Sequence, residues 1–363
     1  TNGKTSVTWY LAQICKYNNI NTKLTGTLGF YKNNKKVKNS PLTTPSNLEL
    51  HQFANSNKKN DDIFISEASS HGLHQGRYNN LNIDVAAITN LSHDHLDYHK
   101  TFNSYVESKI LLFTKFLNKN GIAVINSRLI NYNYFVSKIK SRNLKLIIFG
   151  SKDVYFTKKK SLILNIFGKK YNIKDLKLNN IQKENLECAI ACALASKIKI
   201  NNIIQTLDKL KSASGRFEEI IYKKKSSKII VDYAHTPDAI QNILKSYSNK
   251  SFRPSLVFGC GGERDKSKRK KMSMIANKYA KKVYLTDDNP RNENANLIRK
   301  TLKKYCPKAR NIGNRRLAIQ IAISEMHDKD ILIIAGKGHE KYQFIKNKKY
   351  LFDDLKVAKG FIK

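Results

Sequence analysis

The first residues of the chain have the types and the spacing of a phosphate-binding loop. The segment T-N-G-K-T at residues 1–5 is followed directly by a stretch with helical spacing. Backbone N–H groups around Asn2 and Gly3 would surround phosphate oxygens at the N-terminus of that helix. Lys4 would neutralise β- and γ-phosphates, and the Thr5 hydroxyl would bind Mg²⁺. Because so short a motif also occurs at ordinary helix starts, the interpretation depends on the motifs that follow.

A second group of polar residues follows the apolar segment 63–66. The sequence E-A-S-S-H-G-L-H-Q-G-R occupies residues 67–77. A carboxylate directly after a buried strand lies where open α/β sheets bind ligands, and Mg²⁺ prefers oxygen ligands. Glu67 is therefore a candidate Mg²⁺ ligand, although an acid at the start of a helix would look the same. His71 and His74 are candidates for the same site, with ordinary packed or surface histidines as the alternative.

A third group, T-N-L-S-H-D-H-L-D-Y-H at residues 89–99, also follows an apolar segment. Three histidines and two aspartates this close together favour a metal or phosphate site over a solvated loop. A predicted helix over 102–116 comes next and carries Lys109 within an otherwise apolar stretch. Such a lysine either extends its amine to the surface or has a functional role.

Four polar or glycine-rich loops occur in the second half of the chain, each directly after an apolar segment. They are D-Y-A-H-T-P at 232–237, F-G-C-G-G-E-R-D at 258–265, D-D-N-P-R at 287–291 and A-G-K-G-H-E at 335–340. Each alone could be an ordinary turn. Because the carboxyl ends of parallel strands meet at one edge of a sheet, together they predict one binding edge. Asp232 is a candidate for binding the hydroxyls of a ribose.

The elements that must position these residues alternate between short apolar strands and helices, which predicts an α/β protein with two domains. Small residues at 212–215 indicate the boundary. We expect a phosphate-loop-type central domain with a mostly parallel sheet over 1–213, followed by a smaller Rossmann-like domain over 214–363. Within the first, we predict an antiparallel addition over 152–174 and a helix over 203–211.

Composition gives one rival interpretation. The formal net charge of +39 is compatible with a nucleic-acid-binding protein. The lysines are spread along the chain, however, without a stripe of arginines and aromatics. We interpret the charge as the lysine- and asparagine-rich composition of an AT-rich genome and expect no nucleic-acid partner. The positive field would still attract polyanionic substrates.

The cysteines and the apolar runs indicate the compartment. None of the five cysteines is part of a C-x-x-C pair, and Cys188 and Cys192, four residues apart on a predicted apolar helix, are expected to be buried rather than to bind a metal. No apolar run reaches the roughly 18 residues of a membrane helix. The first residues do not have the pattern of a signal peptide. We therefore expect a cytoplasmic protein without membrane insertion.

In this order, and over nearly the whole chain, the motifs resemble those of the Mur ligases, the ATP-dependent amide ligases of bacterial cell-wall synthesis. The shared pattern includes T-T-P at 43–45 and Y-x-x-x-K at 105–109. The resemblance is greatest to members that add meso-diaminopimelate to UDP-N-acetylmuramoyl-L-alanyl-D-glutamate through an acyl phosphate. It implies ATP and Mg²⁺ as cofactors and these two small molecules as substrates. The alternatives are a ligase that adds L-lysine and a folylpolyglutamate synthase-like ligase, against which D-N-P-R and Q-G-R argue.

The resemblance also implies roles for individual residues. Lys109 matches a lysine that CO₂ carbamylates and that binds a second Mg²⁺ beside His95, while Thr5 and Glu67 match ligands of the first. Lys4, Lys109 and His95 form the implied catalytic group. Contacts to ATP are implied for Asn2, Gly3, Lys4, Thr5, Asn90, Asn185, Arg216 and Asp232. Contacts to the muramoyl substrate are implied for Thr43, Thr44, Ser69, Gln75 and Arg77, and contacts to the amino acid for Arg264, Asp288, Asn289, Pro290, Arg291, Gly336 and Glu340.

Mur ligases also have an N-terminal domain that holds the uridine nucleotide, and a strand and a glycine before the phosphate loop. These parts are not found in the sequence. We therefore expect the chain to be a piece of a longer protein with little activity on its own.

Overall fold

The computed structural model describes residues 2–56, 62–92, 94–158, 161–173, 176 and 178–362. The chain forms two compact units, Thr1–Ser212 and Ala213–Lys363. Each combines helices with sheets that contain parallel strands, which confirms the predicted α/β fold class. None of the helices among the described residues has both the length and the apolar character that crossing a membrane requires.

The first unit holds the motifs of residues 2–99. Its helices are α1 (Lys4–Tyr17), α2 (Asn47–Asn55), α3 (Ser70–His74), α4 (Leu96–His99), α5 (Phe102–Leu111), α6 (Tyr132–Lys140), α7 (Asn180–Ala195) and α8 (Ile200–Ile204). Its strands are β1 (Thr22–Gly26), β2 (Gly29–Lys32), β3 (Lys35–Lys38), β4 (Ile63–Ser66), β5 (Ile83–Ile88), β6 (Leu117–Asn126), β7 (Lys145–Phe149), β8 (Val154–Lys158), β9 (Leu162–Ile166) and β10 (Lys169–Ile173). A π-helical turn over Leu112–Phe116 continues α5, and a 3₁₀ turn spans Leu207–Lys209.

These strands form two sheets. A four-stranded sheet has the order β3-β2-β1-β4, in which β1 and β4 are parallel, and a six-stranded sheet has the order β10-β9-β8-β7-β6-β5. Strands β5 to β8 are parallel, whereas β8, β9 and β10 pair antiparallel, which confirms the addition predicted over 152–174. The helix predicted over 203–211 is wrong. Thr206 donates both its N–H and its hydroxyl to the carbonyl of Ile203 and so closes a turn where α8 ends.

Helices α1 and α7 form the centre of the first unit. They pack against each other, and α7 also packs against β5 to β8. Most of α7 is buried, including Ala189, Ala191 and Ala193. Their small side chains allow α1 and the sheet to approach closely on different sides. This packing brings the N-terminus of α1, and with it the phosphate-loop segment, beside α7.

The second unit holds the four loops of the second half. Its helices are α9 (Pro237–Ser246), α10 (Ser267–Tyr279), α11 (Ala295–Tyr305), α12 (Arg315–Ser324) and α13 (Asp354–Phe361). Its strands are β11 (Glu218–Tyr222), β12 (Ser227–Asp232), β13 (Ser255–Phe258), β14 (Val283–Leu285), β15 (Arg310–Asn311), β16 (Ile331–Ala335), β17 (Tyr342–Ile345) and β18 (Lys348–Leu351).

Its main sheet has the order β11-β12-β16-β13-β14-β15. Strand β11 is antiparallel to β12, and the strands from β12 to β15 in that order are parallel. The loops that follow β12, β13, β14 and β16 therefore leave the sheet at the same edge. Strands β17 and β18 form a separate hairpin. All five cysteines are free and buried, which confirms the prediction for Cys188 and Cys192.

Candidate functional site

The backbone of Asn2 is held by the segment that follows β5. Its N–H donates to Oδ1 of Asn90 at 2.8 Å, and its carbonyl accepts from the Thr89 hydroxyl at 2.6 Å and from Nδ2 of Asn90 at 2.9 Å. Gly3 then caps α1 with a φ of +86°. The first-turn N–H groups of a helix and their partial positive charge attract phosphate. Asn90 thus supports the loop that was predicted to bind ATP.

Gly3 lies against Asn185, a buried residue of α7. A methyl group at Gly3 would lie 2.3 Å from Oδ1 of Asn185, a distance at which the two atoms overlap. Asn185 therefore stands directly beside the phosphate-loop segment, as expected of a residue that contacts the nucleotide.

We expect the substitution Gly3→Ala to weaken ATP binding by at least about tenfold, because the added methyl would displace the loop or Asn185. The left-handed backbone adds a cost of about 1–2 kcal/mol. Equilibrium binding of ATP measures the first effect and the thermal midpoint the second. Gly168→Ala is the matched control, since Gly168 has a φ of +82° and nothing within 4 Å of the added methyl. Equal ATP affinity in the two variants would contradict phosphate binding at this loop.

The carboxylate of Glu67 meets the hydroxyl of Thr5 at the C-terminal end of β4. Thr5 Oγ1 donates to Oε2 at 3.0 Å, and Thr27 donates through its N–H at 2.9 Å and its hydroxyl at 3.0 Å. Glu67 is only 3% exposed. Gly26 permits the approach, since a Cβ there would lie 2.1 Å from Oε1. A hydroxyl and a carboxylate in contact beside the first turn of α1 fit the predicted Mg²⁺, which prefers oxygen ligands.

Buried Thr44 joins the segment after β4 to the loop before α2. Its hydroxyl donates to the carbonyl of Glu67 at 2.6 Å and accepts from the N–H of Ser69 at 2.9 Å. Its carbonyl accepts from the Arg77 guanidinium, which also donates to the side chain of Gln75. The Thr43 hydroxyl lies within hydrogen-bond distance of the Thr27 hydroxyl, at 3.2 Å. The residues predicted to contact the muramoyl substrate therefore lie in one neighbourhood, namely Thr43, Thr44, Ser69, Gln75 and Arg77.

Histidine rings cluster where α3, α4 and α5 meet. The ring centroid of His71 lies 4.9 Å from that of His95 and 5.4 Å from that of His99. Both nitrogens of His99 lie within hydrogen-bond distance of hydroxyls, at 2.9 Å from Ser70 and 3.2 Å from Ser108. His99 is thus a packed histidine. His93 lies outside the described residues.

His95 has a different environment. It begins α4 in the left-handed conformation, with a φ of +58°, and its Nε2 lies 3.5 Å from Oδ2 of Asp94. Burial lowers the pKa of the His95 imidazole to about 3, and the charges of Lys4 and Lys109 act in the same direction while Asp94 opposes them. The ring is therefore neutral and has a lone pair for a metal ion.

The side chain of Lys109 is buried. It is 6% exposed, and its Nζ lies 5.1 Å from the centroid of the Tyr105 ring, which is itself 6.1 Å from the ring of His95. The amine therefore does not extend to the surface, and that alternative is wrong. Burial lowers the pKa of the Lys109 amine to about 8, against the opposing charge of Asp94. Roughly a tenth of such an amine is neutral at pH 7, far more than for a surface lysine.

Around Glu67, His95 and Lys109, the side chains that the structure describes do not by themselves form a complete metal site. Among the described residues, no group of three or more His, Cys, Asp or Glu side chains is arranged to hold a metal ion. Hydroxyls, phosphate oxygens or a modified side chain would have to complete any coordination sphere.

In the second unit, Asp232 ends β12 with both carboxylate oxygens engaged. They accept from the N–H groups of Phe217 at 2.9 Å and Ala234 at 2.8 Å. Burial raises the pKa of this carboxyl, while the nearby charge of Arg216 lowers it. The Arg216 guanidinium lies 4.5 Å from the centroid of the Tyr233 ring. The two predicted nucleotide contacts of this unit are therefore neighbours.

The loops after β14 and β16 meet around a buried amide. Oδ1 of Asn289 accepts from Nζ of Lys337 at 2.9 Å and from the N–H of Phe344 at 3.0 Å. Its Nδ2 donates to Oε2 of Glu340 at 2.9 Å, and Lys337 donates to that same oxygen at 3.1 Å. Asp288 lies 3.9 Å from Lys337. Asp288, Asn289 and Glu340, all predicted to contact the amino acid, therefore share one hydrogen-bonded cluster.

Arg291 is fixed beside this cluster. Its Nη1 donates to the carbonyl of Gly262 at 2.7 Å, and its N–H donates to the carbonyl of Phe344 at 3.1 Å. Gly262 packs on the carbonyl of Pro290, since a Cβ there would lie 1.9 Å from that oxygen. The D-N-P-R turn is thus held between the loop after β13 and the β17–β18 hairpin.

Gly336 and Arg264 complete the predicted set. A Cβ at Gly336 would lie 2.7 Å from Oδ2 of Asp288, so only glycine leaves enough space for this carboxylate. Arg264 is exposed, with no hydrogen bond from its side chain among the described residues. The structure brings the other predicted residues of this edge together but leaves Arg264 outside the cluster.

Two buried cations of this edge were not predicted from the sequence. Lys337 is 0% exposed and Arg315 is 2% exposed. Arg315 makes a bidentate pair with Asp354 at 2.8 and 2.7 Å and donates to the carbonyl of Ala335 at 3.0 Å. A lysine between two glycines after a strand was a signal for Lys337. Nothing in the sequence distinguishes Arg315 from the surface cations of so basic a chain.

Comparison with known proteins gives concordant matches. Residues 1–207 match the Mur ligase middle domain and residues 215–338 the Mur ligase, glutamate ligase domain. The UDP-N-acetylmuramoyl-L-alanyl-D-glutamate–2,6-diaminopimelate ligase of Rickettsia montanensis is 36% identical over 379 residues, covering 100% of this chain and 78% of its own length. A solved structure of a ligase with that name is 32% identical, with a TM-score of 0.67 over 100% of this chain and 76% of the other. The folylpolyglutamate synthase of Mycobacterium tuberculosis shares the fold, with a TM-score of 0.69 at 16% identity over 93% of this chain and 86% of the other.

Proposed function

The chain belongs to the Mur ligase family, a family of ATP-dependent ligases, and from that premise we propose that it adds meso-diaminopimelate to UDP-N-acetylmuramoyl-L-alanyl-D-glutamate. The observation that supports ATP use most directly is the contact between Thr5 and buried Glu67 at the start of α1. The Rickettsia relative, which is 36% identical over the whole of this chain, is named for these substrates and supports their choice.

The proposed reaction has two steps. An oxygen of the D-glutamate carboxylate attacks the γ-phosphorus of ATP, and the bond to the β,γ-bridging oxygen breaks. ADP departs, and the glutamate carboxylate has become an acyl phosphate. The amine of meso-diaminopimelate then attacks the acyl carbon and loses a proton, and inorganic phosphate leaves. Positioning and charge neutralisation supply most of the catalysis in such phosphoryl transfers.

The phosphate-loop segment would serve the first step. The backbone of Asn2 and Gly3 is held open by Asn90 and Asn185 and would surround the phosphates. Lys4 would neutralise the β- and γ-phosphates. Mg²⁺ at Thr5 and Glu67 would offset the negative charge that gathers between the γ-phosphate and the attacking carboxylate.

We also infer that Lys109 is carbamylated. The neutral amine would attack CO₂ and lose a proton, which gives a carbamate whose single negative charge is shared by two oxygens. Two features support this inference: the amine is buried near His95, and an unmodified cation there would repel a metal ion. The carbamate and His95 would together hold a second Mg²⁺.

The edge of the second unit would receive the amino acid. Asp288, Asn289 and Glu340 present carboxylate and amide groups to ammonium groups, and Arg291 would bind the second carboxylate of meso-diaminopimelate. Gly336 makes room for Asp288, and Arg264 is exposed nearby. In the same unit, Arg216 and Asp232 would contact the nucleotide.

We expect phosphate release only when ATP, Mg²⁺, the muramoyl substrate and meso-diaminopimelate are all present, because the acyl acceptor and the amine are both needed for turnover. A coupled phosphate assay on the chain joined to the N-terminal domain that Mur ligases carry, with one component omitted in turn, measures this. Phosphate release that does not depend on the muramoyl substrate would contradict the proposed function.

A further inference from the structure

We propose that Lys337 is a positioning residue that sets the orientation of Asn289 and Glu340 for the incoming amino acid. The inference rests on the proposed function, because it assumes that this edge binds the amino acid. Lys337 itself is 0% exposed and cannot touch a substrate in the described conformation. It acts through its two hydrogen-bond partners.

The first partner is the amide of Asn289. Two donors, Nζ of Lys337 at 2.9 Å and the N–H of Phe344 at 3.0 Å, converge on one side of this amide. Only the carbonyl oxygen can accept from both, so the amide cannot flip without opposing donor to donor. Its NH₂ group therefore faces Glu340. Without Lys337, one of the two donors that fix this orientation is lost.

The second partner is the carboxylate of Glu340. Its Oε2 accepts from Lys337 at 3.1 Å and from Asn289 at 2.9 Å, while its Oε1 lies 3.4 Å from the Tyr233 hydroxyl. The Glu340 side chain keeps 30% exposure, whereas that of Lys337 has none. Lys337 therefore holds one oxygen of a carboxylate that remains accessible to an ammonium group.

Lys337 also separates like charges. Its Nζ lies 3.1 Å from Glu340 and 3.9 Å from Asp288. Two carboxylates sharing one loop cluster repel each other unless a cation lies near both. Burying such an ionic cluster is a weak source of stability compared with apolar packing. The arrangement is better explained by the geometry that it imposes on two groups predicted to bind the amino acid.

The test compares Lys337→Met with wild type in the full chain. We expect the KM for meso-diaminopimelate to rise by at least about tenfold, while kcat and the KM for ATP change by less than about threefold. Lys281→Met is the control, since Lys281 pairs with Asp330 at 2.8 Å near the start of β16, opposite the loop edge, and its loss should leave every constant unchanged. An unchanged KM for the amino acid, or an equal loss for all substrates, overturns the inference.

If Lys337→Met does not fold, as judged by thermal unfolding, the comparison moves to a charge-balanced background. Lys337→Met combined with Glu340→Gln is then compared with Glu340→Gln alone. The KM for the amino acid should be at least about fivefold higher in the double variant, because only that variant lacks the Lys337 donor to Asn289. An equal KM in these two variants overturns the inference. Wild-type protein without amino-acid-dependent phosphate release would instead contradict the proposed function, and the inference with it.

Discussion

Lys109→Ala should reduce kcat/KM by at least about a thousandfold, equivalent to about 4 kcal/mol of transition-state stabilisation. Alanine cannot form a carbamate, so His95 would lose its partner in holding the second Mg²⁺. Added bicarbonate should not restore activity, because the variant has no amine to carbamylate. The measurement is phosphate release at saturating ATP and Mg²⁺ with and without bicarbonate.

Lys115→Ala is the matched control for this experiment. Lys115 lies in the π-helical turn that continues the same helix, but its side chain is exposed. Its removal should leave activity unchanged. Protein equilibrated with ¹³CO₂ should show a carbamate carbon resonance that is present in wild type and in Lys115→Ala but missing from Lys109→Ala. Near-normal activity of Lys109→Ala would refute the second-metal role.

Arg291→Ala should reduce the preference for meso-diaminopimelate over L-lysine by about a hundredfold. The two amino acids differ by one carboxylate and its stereocentre, and a guanidinium can bind a carboxylate through two parallel hydrogen bonds. Its contacts with Gly262 and with the hairpin hold Arg291 in place before the substrate arrives. Of the five N–H donors of a guanidinium, the contact with Gly262 uses only one at Nη1.

The measurement is kcat/KM for both amino acids in wild type, Arg291→Ala and Arg291→Lys. Arg291→Lys keeps the positive charge but lacks the planar guanidinium, so the preference of this variant for meso-diaminopimelate should lie between those of wild type and Arg291→Ala. Arg253→Ala is the control. Arg253 precedes β13, whereas the D-N-P-R turn follows the parallel strand β14, so the two lie at opposite ends of the strands. A wild type that prefers L-lysine would establish the alternative amino acid. An unchanged preference in Arg291→Ala would exclude Arg291 as its cause.

Much of the strand pattern could be predicted from the sequence, because apolar runs of buried parallel strands are easily recognised. β4 begins and ends with the apolar segment 63–66 that precedes Glu67. The strands missed were those without such runs. β3 is lysine-rich and exposed along its whole length, and β18 is also exposed. Neither has the alternation by which a half-buried strand is recognised.

The site was predictable where it depends on residue type and less so where it depends on contacts. Glu67 was predicted as a candidate Mg²⁺ ligand from its place after a strand. That Thr44 binds the backbone of Glu67, and that Gly26 makes room for the Glu67 carboxylate, follows from long-range packing that spacing does not encode. The position of Lys337 between two glycines was a signal, but its burial was not predicted, because a lysine in so basic a chain is expected at the surface.

The backbone of Arg291 has a consequence for how this protein can change over time. Its φ of +51° lies in the left-handed region, where a residue with a side chain is about 1 kcal/mol less stable than glycine. A mutation to glycine would relieve that cost and at the same time remove the guanidinium. Under the proposed role of Arg291, selection for stability and selection for meso-diaminopimelate therefore oppose each other at this position. In relatives that no longer need to select meso-diaminopimelate, we expect glycine to replace arginine at position 291. The residue at this position would then indicate whether that selection is still present.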